Sequence, residues 1–196
     1  MDKSRGFSPH PVNSFSRPQN LKEILVQKGF KKLGSFPTMI YDLDQLPNEK
    51  TKDPLLESQE FEFRLASKED EFRSFAFLRF PEKTESDQKS IESMVEFLKS
   101  ENPSLTEHYV VFDSSKKIAV AAGTLYFRDD WAGICQIYTS PEWRKRGLGS
   151  ALVRFFLERA KQNGKSYVLL TSSPMGVSIY QKIGFKIDSD LELFQK

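Results

Sequence analysis

The chain has 196 residues, of which 38% are hydrophobic and 29% charged, with a mean hydropathy of −0.50. These values are typical of one globular domain with an appendage and argue against a disordered chain. The 29 basic residues are nearly balanced by 27 acidic residues, so the charge gives no indication of a nucleic-acid partner.

Cysteine and histidine are scarce. The single cysteine, Cys135, cannot form an internal disulfide, which is typical of a reducing compartment. His10 and His108 lie far apart without a second cysteine, so we expect no metal site. The polar N-terminus lacks the apolar segment of a signal peptide, and no apolar run approaches the ~20 residues of a membrane span. We therefore expect a cytoplasmic protein with no membrane partner.

Composition divides the chain into four parts. Residues 1–18 are polar and proline-rich and predict a flexible tail, and residues 46–59 combine charge with proline and predict a linker. Between them, residues 19–45 predict a short helix, a Gly-Phe stop and a strand. Residues 60–196 carry the richest apolar patterning and predict the main domain.

The apolar spacing after residue 60 predicts a mixed α/β layered fold. Phe61–Leu65 alternates as a half-buried strand does, and Thr84 with Asp87 three residues later predicts a capped helix start. Ser173 followed by Pro174 predicts the cap of the last helix. The order is strand, two helices, three antiparallel strands, helix, strand, helix and one or two final strands. The predicted ranges are 61–65, 71–80, 84–102, 109–112, 118–127, 131–139, 148–163, 167–171, 173–183 and 185–194.

A short internal repeat links the two ends of the chain. Residues 24–30 and 179–185 share Ile, Gly and Phe at the same spacing, and each segment predicts a helix, a Gly-Phe stop and a strand. In this alignment Leu25 stands opposite Tyr180, so the N-terminal copy is expected to be non-catalytic. A chance match is the alternative, because helix followed by Gly-Phe is a simple pattern.

Residues 144–150, Arg-Lys-Arg-Gly-Leu-Gly-Ser, form the strongest motif and lie between a predicted strand and a predicted helix. Gly147 and Gly149 have no Cβ, so a diphosphate can approach the backbone closely. The first amides of the helix lack intrahelical partners, and the helix dipole favours an anion there. The alternative is a glycine-containing turn with solvated basic side chains.

Tyr180 carries the second motif, because it lies within a predicted helix shortly after the end of a strand. A phenol in that position can donate a proton to a leaving group, which is general acid catalysis. By itself, a helical tyrosine is more often a packing residue.

The two motifs together resemble the GNAT superfamily of acetyl-CoA-dependent N-acyltransferases. Arg144, Gly147 and Gly149 match its (Q/R)xxGx(G/A) motif, and Tyr180 precedes Gly-Phe by four residues as in its later motif. The predicted element order from Phe61 onward also follows the order of that family. The resemblance implies the GNAT fold, a mixed and mostly antiparallel sheet with helices on both faces.

Two further segments, residues 141–144 and 172–176, resemble a bacterial branch of that superfamily. Some members of the branch carry an N-terminal remnant of a second GNAT module. Such a remnant would account for the internal repeat, with residues 19–45 as the partial module.

The resemblance also implies individual roles. The backbone at the end of the strand 131–139 would hold the pantetheine arm, and one of its amides would stabilise the oxyanion. The amides of the loop would hold the diphosphate of acetyl-CoA, and Tyr180 would protonate the departing thiolate after direct attack by an amine. The residues implied in acetyl-CoA binding are Ile137, Tyr138, Thr139, Arg144, Lys145, Arg146, Gly147, Leu148, Gly149, Ser150 and Ser173.

The chain departs from the family pattern at two places. Some members place a glutamate on the strand that corresponds to residues 131–140 as general base, but this segment contains no carboxylate. A base would have to be water or a residue from elsewhere, such as Asp113 or Glu142. Ser173 stands where many members have asparagine, which puts one pantetheine contact in doubt.

The expected function is that of an N-acetyltransferase, which moves an acetyl group from acetyl-CoA to a primary amine of a small molecule or a peptide. The alternative is a non-catalytic module that binds acyl-CoA or regulates a partner, because the strand carboxylate is missing. The chain is expected to be a monomer or a homodimer.

Other candidate residues favour structural roles. Cys135 is expected to be a buried, unreactive thiol, and His108 a surface residue. The phenylalanines at 72, 75, 77 and 80 are expected in the core, with the lining of an acceptor pocket as the alternative.

Overall fold

The computed structural model describes residues 10–12, 18–47, 53–81 and 84–196. They form two compact units, one of residues 41–169 and the other of residues 1–40 with 170–196. The elements in chain order are β1 (His10–Val12), α1 (Leu21–Gln27), β2 (Lys31–Asp42), α2 (Pro54–Glu57), β3 (Phe61–Leu65), α3 (Glu69–Arg79), α4 (Glu85–Ser100), β4 (Thr106–Asp113), β5 (Ile118–Phe127), β6 (Trp131–Thr139), α5 (Leu148–Gln162), β7 (Tyr167–Thr171), α6 (Val177–Ile183) and β8 (Lys186–Gln195).

The order of elements from β3 to β8 confirms the predicted fold. In the 41–169 unit the strands lie in the order β7-β6-β5-β4-β3, and the pairs from β3 to β6 are antiparallel. Thr84 caps α4 as predicted, since its side chain accepts a hydrogen bond from the Asp87 amide.

Helices cover both faces of this sheet. Tyr109 and Val110 are adjacent in β4 and therefore point to opposite faces. The Tyr109 ring contacts the Phe155 ring of α5, with centroids 4.9 Å apart, whereas Val110 packs with Phe75 of α3 and Leu98 of α4. Hence α5 covers one face, and α3 and α4 cover the other.

A bulge interrupts the pairing of β5 with β6. Ala122 pairs with Tyr138 and Thr124 with Cys135, so two residues of β6 stand opposite Gly123. Gln136 lies in this bulge at φ +56°, a conformation that is uncommon for a residue with a side chain. A bulge changes the direction of nearby side chains. The bulge therefore affects which side of the sheet each side chain in the middle of β6 points to.

The other unit contains both copies of the internal repeat, with strands in the order β1-β8-β2 and antiparallel pairing between neighbours. The two copies end their helices in the same way. Gly29 and Gly184 adopt φ +83° and +118°. The Phe30 amide donates to the Leu25 carbonyl at 2.9 Å, and the Phe185 amide donates to the Tyr180 carbonyl at 3.0 Å.

The structure corrects the predicted start of the last helix. α6 begins at Val177 with Gly176 as its N-cap, so Ser173 is not the cap. A turn precedes the helix instead, closed by the Gly176 amide donating to the Ser173 carbonyl at 2.9 Å. The fixed φ of Pro174 suits such a turn as well as it suits a first helical turn.

The predicted tail falls largely outside the described residues, whereas the predicted linker falls only partly outside them. Of residues 1–18, the structure describes β1 and Pro18. Residues 48–52 are not described, but α2 follows within the predicted linker and begins at a buried Asp53. Asp53 accepts from the Leu55 amide at 2.9 Å and pairs with Arg154 of α5 at 2.8 Å. Such a short helix has no apolar period, so its pattern could not be recognised in the sequence.

Candidate functional site

The loop between β6 and α5 is anchored to the strand that precedes it. Pro141–Trp143 forms a 3-10 turn, and the Arg144 side chain donates from Nε to the Thr139 carbonyl at 3.2 Å. The indole of Trp143 is buried, and the Arg146 guanidinium lies 4.5 Å from its ring centroid. These contacts hold the basic residues close to the end of β6.

The N-terminus of α5 carries no capping side chain. Gly147 is the N-cap at φ +87°, no side chain accepts a hydrogen bond there, and the first turn contains no acidic residue. Lys145 also has a positive φ, +62°. When negative and positive φ angles alternate along a loop, successive backbone amides point toward the same side. The first-turn amides and the positive end of the helix dipole therefore favour an anion at this position.

The backbone at Gly149 leaves room for a ligand. A Cβ built there would lie 3.6 Å from Thr139 Oγ1 and 3.9 Å from Ile137 Cγ2, with nothing nearer. The structure thus brings the predicted residues Ile137, Thr139 and Gly149 together. At Gly147 a Cβ would lie 3.3 Å from Leu55 Cδ1, so α2 contributes an apolar wall that the sequence did not predict. The open backbone and its uncapped amides fit a diphosphate.

The side chains of Arg144, Lys145 and Arg146 are exposed around this loop. Leu148 is buried beneath it, and Ser150 is half-buried in the first turn of α5. Three cationic side chains that directly precede the free amides favour an anionic ligand here.

The two carboxylates proposed as bases are engaged elsewhere. Asp113 Oδ1 accepts from the amides of Ser115 and Lys116, both at 2.8 Å, and so fixes the β4–β5 turn. Glu142 accepts from Ser140 Oγ at 2.6 Å. Hydrogen bonds from the Ser115 and Ser140 side chains hold the pKa of Asp113 and Glu142 below their usual values. Neither carboxylate is in an environment that makes it a stronger base.

A cleft of about 840 Å³ lies between α3 and the end of β6. Its walls include the exposed Phe77 ring together with Arg73, Arg79 and Tyr138. The Arg79 guanidinium lies 5.6 Å from the Tyr138 ring centroid. Of the four phenylalanines from 72 to 80, Phe75 is fully buried and 72 and 80 pack against the core, so the prediction of a core role is confirmed for three of them.

Tyr180 belongs to the other compact unit, on α6. Its ring packs against Phe185 with centroids 5.9 Å apart, and burial raises the pKa of its phenol above the ordinary value of 10. The phenol is therefore protonated at neutral pH, as a general acid must be. Ser173, in the same unit, is exposed in the turn before α6.

Two sequence predictions about single residues are wrong. His108 is buried, with 4% exposure, because it lies on the face of β4 that α3 and α4 cover. Cys135 is exposed rather than buried and lines a cavity. Desolvation by the surrounding protein nevertheless raises the pKa of the thiol to about 11, which agrees with an unreactive cysteine.

The described residues contain no group of three or more His, Cys, Asp or Glu side chains arranged to hold a metal ion. In the same part of the chain, none of the helices has the length and apolar composition needed to cross a membrane.

Known proteins resemble this chain in sequence and in fold. Residues 54–185 match the family model described as the acetyltransferase (GNAT) family. The uncharacterised N-acetyltransferase YobR of Bacillus subtilis is 34% identical over 73 residues, which cover 36% of this chain and 30% of that protein. The uncharacterised N-acetyltransferase YjcF of the same organism is 28% identical over 87 residues, covering 44% of this chain and 61% of that protein. The chain thus spans less than two thirds of these curated relatives.

Among solved structures, the GCN5-related N-acetyltransferase from Kribbella flavida superimposes with a TM-score of 0.68 at 14% identity. The superposition covers 97% of this chain and 68% of that one. At this identity the likeness concerns the fold.

The backbone conformations at Gly147 and Gly149 predict opposite effects of the same substitution. Gly147→Ala should destabilise the chain by about 1–2 kcal/mol, because φ is positive there. Gly149→Ala should leave the free energy of unfolding unchanged or raise it by up to about 1 kcal/mol, because that position is helical and its Cβ meets only ordinary contacts. Urea denaturation of both variants measures the difference, and equal effects would contradict the assigned loop conformation.

Proposed function

The chain belongs to the GNAT acetyltransferase family, and from that premise we propose that it transfers an acetyl group from acetyl-CoA to a primary amine. The acceptor is a small molecule or a peptide, and the reaction takes place in the cytoplasm. The uncapped N-terminus of α5, surrounded by Arg144, Lys145 and Arg146, is the observation that carries this proposal. It provides free amides and positive charge for a diphosphate at the place where the sequence motif requires them.

The roles of the chain's own residues follow from their chemistry. Bound acetyl-CoA would supply the acetyl group as an activated thioester. We propose that the amides of residues 147–150 hold the diphosphate and that the backbone of residues 137–139 aligns the acetyl carbonyl and stabilises negative charge on its oxygen. Ser173, exposed before α6, is the proposed polar contact of the pantetheine arm. Tyr180 donates the proton that the departing sulfur needs.

The diphosphate site is tested by placing a negative charge in it. Gly149→Glu should bind acetyl-CoA roughly 100-fold more weakly, because a carboxylate a few ångströms from a diphosphate repels it by about 3 kcal/mol at an intermediate dielectric constant. Isothermal titration calorimetry measures the dissociation constant. The fold should be preserved, since an acidic residue in the first turn of a helix stabilises it.

The matched controls are Gly149→Ala and a donor without the diphosphate. S-acetylpantetheine should be used equally well by the wild type and by Gly149→Glu, because it has no charge for the carboxylate to repel. Unchanged affinity for acetyl-CoA in Gly149→Glu would show that the diphosphate binds elsewhere.

The acid role of Tyr180 predicts a selective loss of turnover. Tyr180→Phe should lower kcat by about 10²-fold, because the leaving thiolate no longer receives a positioned proton, and acetyl-CoA affinity should change little. Since the pKa of Tyr180 is raised above 10, wild-type kcat should not fall with deprotonation of this group below about pH 9. Steady-state kinetics from pH 6 to 10 test both points, with the exposed Tyr167 changed to Phe as control. Wild-type kcat in Tyr180→Phe would remove the assignment.

One observation favours a second candidate, a module that binds acyl-CoA without catalysis. β6 has no carboxylate, and at Gly133 a Cβ would come 2.0 Å from Cζ of Tyr126. The Tyr126 ring therefore occupies the space beside the strand. This candidate differs from the enzyme in one measurable respect, because it would bind acetyl-CoA and acetylate no amine.

We also propose that residues 19–45 are a remnant of a second GNAT module of the bacterial type. Support comes from the matching helix ends of the two repeats. Further support comes from the pairing of β2 with β8, in which Lys31, the first residue of β2, stands opposite Gln195, and Ile40 stands opposite Lys186. The start of each strand thus meets the end of the other, which is the pairing that a two-fold repeat would produce.

The remnant proposal predicts that the repeats are interchangeable. Replacing residues 21–30 by the sequence of residues 176–185 should retain the fold, with a melting temperature within a few degrees of the wild type, because both copies end with the same hydrogen bond and a positive-φ glycine. A scrambled segment of identical composition is the control. Equal losses of stability in the two chimeras would contradict the equivalence.

A further inference from the structure

A cavity of about 250 Å³ lies within the 41–169 unit, between the end of α4 and the strands β5 and β6. Its walls include Phe97 and Glu101 from the end of α4, Tyr126 from β5 with Arg128 directly after that strand, and Cys135 with Gln136 from β6. The volume is smaller than that of a pocket for a drug-sized molecule. The cavity suits one short alkyl chain that ends in a polar group.

Four polar side chains form a continuous chain from this cavity into the core. Glu101 Oε2 lies 3.1 Å from Nε2 of the buried His108. The other ring nitrogen, Nδ1, lies 2.9 Å from Thr124 Oγ1. The Thr124 hydroxyl in turn donates to Oε1 of Gln136 at 3.0 Å. Side chains of β4, β5 and β6 therefore hold the imidazole that the carboxylate faces.

The protonation of His108 follows from these contacts. Burial lowers the pKa of the His108 imidazole to about 4, although a hydrogen bond with the Leu98 backbone carbonyl acts in the opposite direction and favours the charged ring. The ring is therefore neutral at pH 7. Nδ1 lies against the Thr124 hydroxyl, and Nε2 faces Glu101 at 3.1 Å but has no aligned hydrogen-bond partner within the described residues.

The charge state of Glu101 is shaped by groups from three strands. Burial raises the pKa of its carboxyl group. His108 lies 3.1 Å from it, and Tyr126, Arg128 and Cys135 line the same cavity. After burial, the Glu101 carboxylate is the second cause of the raised pKa of the Cys135 thiol. A carboxylate whose charged form is disfavoured by burial takes up a proton readily.

The β6 bulge connects this cavity to the proposed acetyl-CoA site. Gln136 lies in the bulge and completes the chain of hydrogen bonds, and Ile137 follows it directly at the start of the proposed carbonyl-aligning segment. Positive φ at a glutamine has an energetic cost, and residues held in this way are concentrated at functional sites.

We propose that this cavity receives the acceptor, a primary alkylamine, and that Glu101 is the base that removes its proton. His108, Thr124 and Gln136 act as positioning residues. The proposal rests on the acetyltransferase function proposed above. The present proposal places the base at the end of α4 rather than on β6, because the Tyr126 ring occupies the space beside Gly133 of β6.

The proton balance of the step is as follows. The ammonium group of the acceptor gives one proton to Glu101, which passes it to solvent, and the freed lone pair forms the N–C bond to the acetyl carbon. The C–S bond breaks with its electron pair on sulfur, and the thiolate takes a proton from Tyr180. The second proton that the nitrogen loses replaces the one that Tyr180 gave, so one proton is released in each turnover.

The pH profile of Glu101→Gln tests the role of the base, with pentane-1,5-diamine as the acceptor. In the wild type, kcat/KM for the diamine should level off above the pKa of Glu101. In Glu101→Gln it should be roughly 10²-fold lower at pH 7 and rise tenfold per pH unit toward the pKa of the amine, near 10, because only the free amine reacts. Glu92→Gln, an exposed residue of the same helix, should match the wild type.

A binding measurement provides a readout that does not depend on turnover. The chain contains two histidines, so the ring signals of His108 can be assigned by NMR with a His10→Gln variant. The diamine should shift the His108 signals in the wild type and in Glu92→Gln, and the shift should be lost in Glu101→Gln. A diamine that neither shifts these signals nor is acetylated, or equal pH profiles for wild type and Glu101→Gln, would overturn the proposal.

Acetyl-CoA affinity, measured in parallel, separates this inference from the proposed function. Glu101→Gln should bind acetyl-CoA as the wild type does, because Glu101 lies on the acceptor side. A wild type that binds no acetyl-CoA would overturn the acetyltransferase function itself. A wild type that binds acetyl-CoA and acetylates the diamine independently of Glu101 would overturn only the assignment of the base.

Discussion

The missing side chain at Gly123 is the constraint on which the 41–169 unit depends. A Cβ there would lie 2.5 Å from Ile137 Cδ1, 3.0 Å from a Phe156 ring atom and 3.1 Å from Leu152 Cδ2. The bulged strand β6 and the helix α5 therefore meet over Gly123 at a distance that no other residue permits. This contact places the first turn of α5 beside Ile137 and Thr139, and the same bulge turns Gln136 to the opposite face. Both proposed subsites follow from one close approach.

The elements with strong periodicity were predictable from the sequence, and so was the loop. The apolar stripe of α4 and the alternation in β3 depend on neighbours along the chain, and the loop motif combines glycines with a helix start, which is a local constraint as well. The start of α6 was not predictable, because Ser173 and Pro174 satisfy the rules for a helix cap and for a turn equally well.

The residues of the acceptor cavity could not be found in this way. His108 and Glu101 acquire their properties from burial under α3 and α4 and from partners on β5 and β6, which lie far away in sequence. Cys135 was expected to be buried because it lies within an apolar strand, but the cavity beside that strand exposes it. α2 likewise depends on a long-range ion pair, between Asp53 and Arg154. A sequence pattern does not encode such pairings.

An acetyl transfer from a coenzyme to an amine requires opposite electrostatics at its two ends. The diphosphate needs free amides and cations, whereas an ammonium group needs a carboxylate that is able to lose its charge. In this chain both are supported by β6, the first at its C-terminal end and the second beside its bulge. The end of α4 supplies a carboxylate whose charged form burial disfavours, and a carboxylate of that kind accepts a proton more readily than an exposed one. On β6 the Tyr126 ring fills the space beside Gly133, and this physical difference favours the position that we propose for the base.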